Sequence, residues 1–178
     1  MKTAVFMISA LWLGWAGLYG QGGKQSPLRT VANVDLARYM GTWYEIAAFP
    51  QRFEKGCHCV TAEYEMTGQG FVQVVNSCRK NGPEGKLKKA RGKAFVVADS
   101  GNAKLRVQFF WPFRGNYWII DLADDYSYAV VGDPGRKYLW ILSRTAKMDP
   151  GLFGEILKRA EEKGFDTARL KLMDQSCH

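Results

Sequence analysis

The chain has 178 residues, the size of one domain, and its 25 Lys and Arg against 17 Asp and Glu give a formal net charge of +8. That excess draws a protein toward anionic surfaces or ligands. Its four cysteines suit two disulfides, and its two histidines, one of them the C-terminal residue, leave little for imidazole base catalysis.

In chain order, Lys2 precedes an uncharged apolar run from Ala4 to Leu18, followed by small and polar residues. This is the pattern of a secretory signal peptide, residues 1–20, cleaved after Gly20. The run is short for a membrane span, which needs about 20 apolar residues, so an uncleaved anchor is the weaker reading. No cysteine precedes Cys57, so the lipid-modified N-terminal cysteine of a bacterial lipoprotein is not expected. Export to the periplasm, the outer membrane or the medium argues against a nucleic-acid partner.

Residues 21–34 read as an irregular arm, and the main domain is expected to span residues 35–178. Asp35 to Met40 reads as a short helical turn ended by Gly41. Eight strand-like segments follow: Thr42–Phe49, Cys59–Met66, Phe71–Cys78, Lys89–Ala98, Lys104–Trp111, Tyr117–Leu122, Tyr126–Val131 and Tyr138–Ser143. Turn signals such as Gly68-Gln-Gly70, Ser100-Gly-Asn102 and Asp133-Pro-Gly135 separate them. Regularly spaced short strands predict an antiparallel meander that closes on itself or folds into a sandwich. One helix comes late, with Asp149 as its cap, Pro150 at its first position, and Phe153, Ile156, Leu157 and Ala160 on one face. Gly164 ends it, and an apolar–polar alternation around Leu170 and Leu172 predicts a last short strand.

Three patches, Gly41-x-Trp43 at the first strand, Asp125-Tyr126 at the start of the seventh and Arg144 ending the eighth, resemble the lipocalins. The segments FFWPFRGNYWIIDL and DYSYAVVGDPGRKYLWILSRT are similar to the branch of the bacterial outer-membrane lipocalins and apolipoprotein D. The resemblance implies an all-β fold, an eight-stranded up-and-down barrel with a C-terminal helix. It implies that Trp43 and Arg144 meet at the closed end, the guanidinium lying over the indole and its other donors holding carbonyls of the turn around Asp35–Met40.

Alternation from these anchors points Trp43, Glu45 and Ala47 the same way on the first strand. It also sends Trp140 and Leu142 inward with Arg144, and Val107, Phe109 and Trp111 inward opposite to Arg106 and Gln108. Ala62, Tyr64, Tyr117 and Tyr128 complete an aromatic sleeve, with Asn76 and Glu45 as polar points. The resemblance implies a ligand set of Asn76, Val107, Phe109, Tyr117, Trp140 and Leu142. Pattern alone would have these side chains fill a solid core; the family's barrels are hollow. Basic residues run from Arg79 and Lys80 through Lys86, Lys88, Lys89, Arg91 and Lys93, a solvated face or a contact for an anionic membrane surface.

Cys57, His58, Cys59 and Cys78 fit no common zinc spacing. In an extended strand Cys57 and Cys59 point the same way and cannot bridge each other; Cys78 comes within reach of either. The resemblance implies Cys59–Cys177, and the Asn76-Ser77-Cys78 pattern of similar bacterial chains implies Cys57–Cys78. The function expected is to bind or carry a fatty acid, lysophospholipid or similar small apolar molecule, without metal or cofactor, as monomer or homodimer. A filled barrel that serves as an interaction or membrane-surface module is the alternative. An enzyme is the weaker class, for no Gly-x-Ser-x-Gly elbow is present.

Overall fold

The computed structural model describes residues 26–177; the expected leader and the first part of the arm lie outside the described residues. Asp35 caps α1 (Leu36–Tyr39), its carboxylate accepting from the Ala37 and Arg38 amides at 2.9 and 3.3 Å. Gly41 then turns the chain at φ +89°, a left-handed conformation that a side chain would strain. The strands are β1 (Gly41–Ala48), β2 (Cys57–Met66), β3 (Val72–Lys80), β4 (Leu87–Val96), β5 (Lys104–Phe110), β6 (Phe113–Leu122), β7 (Tyr128–Gly132) and β8 (Leu139–Ser143). Each pairs antiparallel with the next, and β1 pairs with both β2 and β8, so the sheet closes into a barrel. A ninth strand, β9 (Lys171–Leu172), takes the edge of β1 at Ala47 and Ala48, beyond the residues that pair with β2.

Two apolar clusters result, one on each side of the barrel wall. The inner one includes Trp43, Tyr64, Val74, Ala94, Ile119, Val131 and Leu142. The outer one lies under α2 (Pro150–Glu162), where Ile156 and Ala160 pack on Ile46, Phe49, Ile120, Val130 and Ile141. Asp149 caps α2 through the Leu152 amide at 2.9 Å, with Pro150 at the first turn, where its missing N–H costs nothing. Arg159 ties the helix to the wall, donating to Asp121 at 2.7 Å and to the Tyr128 hydroxyl at 2.9 Å.

The arm crosses the end of the barrel that carries α1. Val31 donates to Ile119 O at 3.0 Å and Val34 to Gly101 O at 2.8 Å, and Val34 is fully buried. Up-and-down topology puts the β1–β2, β3–β4, β5–β6 and β7–β8 connections at the other end, around the mouth. Asp133 folds the last of these, accepting from the Gly135, Lys137 and Tyr138 amides at 2.9, 2.6 and 2.8 Å.

The alternation expected from sequence slips in three places. A bulge between Glu45 and Ala47 turns Ala47 out under the helix, while Glu45 stays inside. β5 ends at Phe110, so Trp111 belongs to the hairpin tip and not to an inward row. Tyr126 has φ +65° and β7 begins only at Tyr128, so Ala129 and Val131 face inward and Tyr128 faces the helix.

Candidate functional site

The closed end is built around Trp43 and Arg144. The Arg144 guanidinium lies 3.7 Å above the Trp43 ring centroid and donates to Thr42 O at 2.9 Å and Arg38 O at 2.7 Å. The Trp43 indole donates to Tyr39 O at 2.8 Å. Tyr126 braces the arm by accepting from the Asp35 amide at 2.8 Å, its ring 4.1 Å beneath the Arg38 guanidinium. Asp125 accepts from the Ser127 amide at 2.9 Å and so shapes the β6–β7 turn.

Above this plug the barrel holds a cavity of about 410 Å³. Eight of the ten side chains expected along the sleeve line it: Ala62, Tyr64, Asn76, Val107, Phe109, Tyr117, Trp140 and Leu142. Glu45 lines it as well. Gly92 on β4 makes space for Phe109, because a Cβ there would come within 2.8 Å of the ring. Trp111 and Tyr128 are not in this wall. Trp111 is 86% exposed at the tip of the β5–β6 hairpin, and Tyr128 is spent on Arg159 outside the barrel.

At the inner end of the cavity three tyrosine hydroxyls stand in a row, Tyr64 and Tyr117 in the lining and Tyr39 bonded to them from outside it. Tyr64 donates to the Tyr117 hydroxyl at 2.9 Å, and the Tyr117 and Tyr39 hydroxyls are 2.7 Å apart. Burial pushes all three phenols up, Tyr64 to about 12, so they stay protonated and serve as neutral hydrogen-bonding groups. Tyr39 escaped the sequence reading because it lies in α1, outside the strand period.

The mouth side is more acidic than the sequence suggested. The β1–β2 loop, with a 3-10 turn at Arg52–Glu54, brings Gln51, Phe53 and Glu54 into the wall, and the β7–β8 connection brings Tyr138. Tyr138 stacks on Trp140 at 5.9 Å. Burial raises the Glu45 carboxyl well above its usual range, and the charge of Glu54 adds to this. Glu54 is raised to about 7, again by burial, against the opposing pull of a hydrogen bond from Trp140 and the charge of Lys80. Glu45 was expected inside from the strand period, whereas Glu54 lies on a loop without periodicity and only its place beside Phe53 could have pointed to it.

Cys57 is bridged to Cys78 and Cys59 to Cys177, with Cα separations of 5.4 and 6.2 Å. The two do not point the same way: Cys59 sits at φ +53° within a bulge of β2, which sends it to the C-terminal tail while Cys57 faces β3. His58 between them contacts Asp174 at 3.1 Å. The basic run is dispersed as well. Arg79 and Lys80 donate to the Gly85 and Lys55 carbonyls at 3.2 and 2.6 Å, and Lys93 lies 4.5 Å over the Phe71 ring, at the closed-end half of β4.

Comparison with known proteins agrees with this architecture. Residues 34–175 match the family model described as a lipocalin-like domain. The chain is 38% identical over 159 residues to the outer membrane lipoprotein Blc of Vibrio cholerae, covering 89% of this chain and 92% of that protein. It is 35% identical over 192 residues to apolipoprotein D of Rattus norvegicus, covering 99% and 97%. Among solved structures, insecticyanin from the tobacco hornworm Manduca sexta superposes with a TM-score of 0.67 at 23% identity, covering 83% of this chain and 84% of that one.

Proposed function

The chain belongs to the lipocalin family, and from that premise we propose that it binds and carries a single-chain lipid, a fatty acid or lysophospholipid, in the barrel cavity. The observation that carries this reading is the cavity itself: about 410 Å³, walled by Val107, Phe109, Trp140 and Leu142, with polar groups gathered at its two ends. Such a space suits an acyl chain along the aromatic wall and a polar head near the mouth. The paired cysteines and the outer-membrane location in the name of the Vibrio cholerae relative support an exported carrier.

Titration of delipidated protein with single-chain lipids of increasing length tests it. Saturable, one-to-one quenching or shift of tryptophan emission is expected. Affinity should rise by up to about 0.8 kcal/mol for each methylene buried until the cavity is full. Leu142→Gln should weaken binding by placing an unpaired amide in the apolar wall, and Arg106→Gln, on the outer face, should not. Failure of every chain length to bind would replace the carrier reading with that of an interaction module.

A second observation favours loading at a membrane. The β5–β6 tip presents Phe110, Trp111 and Phe113 at 77, 86 and 77% exposure beside the mouth, with Arg114 adjacent and Lys86 and Lys88 on the neighbouring hairpin. Aromatic rings flanked by cations suit an anionic bilayer surface, where the rings enter the interface and each cation adds about 1 kcal/mol.

A further inference from the structure

Among the described residues, the cavity has a set of polar atoms that nothing satisfies. Glu45 is only 3% exposed, yet its Oε1 has no hydrogen-bond partner. The same holds for Asn76 Oδ1 and for both amide atoms of Gln51, and all three residues line the cavity together with Glu54. Three of these four orphaned atoms are acceptors. A buried acceptor without a donor costs about 1–3 kcal/mol, so the set calls for a guest rich in N–H or O–H groups.

Charge narrows the guest further. Neither Glu45 nor Glu54 takes part in a salt bridge among the described residues. Lys80, whose charge reaches Glu54, has its ammonium on the Lys55 carbonyl at 2.6 Å. Arg114, also in the wall, turns its guanidinium onto the Phe95 ring at 4.3 Å. An anionic head at this end would stand against two carboxyl groups and meet more acceptors than donors. An ammonium would bring several donors and a charge to which both carboxyls respond.

Resting on the carrier reading above, we propose that Glu45, Gln51, Glu54 and Asn76 form a head-group subsite for a protonated primary amine. The preferred ligand is then a single-chain amphiphile with an ammonium head, not a free fatty acid. The acyl chain runs along Phe109, Trp140 and Leu142, and the N–H donors fill the orphaned acceptors. The raised carboxyls follow from the same geometry, for burial without a salt bridge favours the protonated form of each.

The test compares four probes of equal chain length on the delipidated protein at neutral pH, below their micelle concentrations: dodecylamine, dodecyltrimethylammonium, dodecanol and dodecanoate. Calorimetric titration should show dodecylamine binding about tenfold or more tighter than dodecanoate. It should also exceed dodecyltrimethylammonium, which carries the charge but no N–H donor; that arm separates donor recognition from simple charge attraction. Glu54→Gln and Glu45→Gln should each erase most of the amine's advantage, weakening dodecylamine several-fold more than dodecanol. Glu54 lies on the loop, so its variant keeps the test open if the buried Glu45→Gln protein does not fold. Dodecanoate binding as tightly as dodecylamine would overturn the amine subsite, as would variants that weaken amine and alcohol alike. Binding of none of the four would overturn the carrier reading itself, and the subsite with it.

Discussion

Replacing Arg144 by methionine keeps the length of the stem and removes everything the guanidinium does at the closed end. Three interactions go: the contact 3.7 Å over the Trp43 ring and the hydrogen bonds to Thr42 O and Arg38 O at 2.9 and 2.7 Å. The cation–π contact at a half-desolvated site is worth about 1 kcal/mol. The two carbonyls lose a charged donor, which costs about 1–3 kcal/mol where water cannot replace it. Both belong to surface residues, so solvent recovers part of that, and the expected total is about 1–3 kcal/mol. For a domain of this size that lowers the melting temperature by roughly 2–4 °C per kcal/mol. Urea unfolding of the disulfide-intact protein, followed by tryptophan emission, measures it directly. Arg144→Lys, which keeps the charge but lacks the planar fork, should fall between wild type and Arg144→Met. Lipid affinity should change far less, since the plug lies below the cavity. Stability of Arg144→Met within error of wild type would refute the plug.

Glu54, raised from about 4.5 to about 7, gives a pH dependence with a definite sign. The folded state holds a proton that the unfolded state has released, so its stabilising share is full below about pH 4.5 and lost as pH rises through about 7. Thermal melts from pH 5 to about 8 should show Glu54→Gln gaining on wild type as pH rises; parallel curves would refute the shift. Replacing Cys59 and Cys177 together by serine removes a bridge across 118 residues and should cost about 4–5 kcal/mol in the chain-entropy account. Urea midpoints that differ little from wild type would count against that constraint. Substituting Trp111 and Phe113 together by serine should lower sedimentation with phosphatidylglycerol vesicles without changing lipid affinity in solution; unchanged vesicle binding would remove the membrane reading.

The barrel was legible from residue order because an antiparallel meander is a local object. Each strand pairs with its sequence neighbour, the punctuation marks the hairpins, and the Gly41, Trp43 and Arg144 patches resemble a known family. Period two put Trp140 and Leu142 inward with Arg144 and set Val107 and Phe109 opposite to Arg106 and Gln108. All four line the cavity, even though β5 shifts register between Val107 and Phe110 within that count. Ala47, Trp111 and Tyr128 departed from it where a bulge, a strand end and a left-handed Tyr126 break the period. The same physics separates Cys57 from Cys59.

What the sequence by itself determined about this protein is an antiparallel meander of short strands with one late helix, properties of regular local pattern. The closed barrel, its Trp43–Arg144 end and a hollow interior came from the family resemblance. Only the tertiary structure decided the chemistry at the mouth. Gln51 and Glu54 reach the cavity because a loop folds back over the barrel, and they meet Glu45, which alternation from Trp43 had already put inside. Loops and bulges are set by packing against elements distant in the chain, so no local pattern records them.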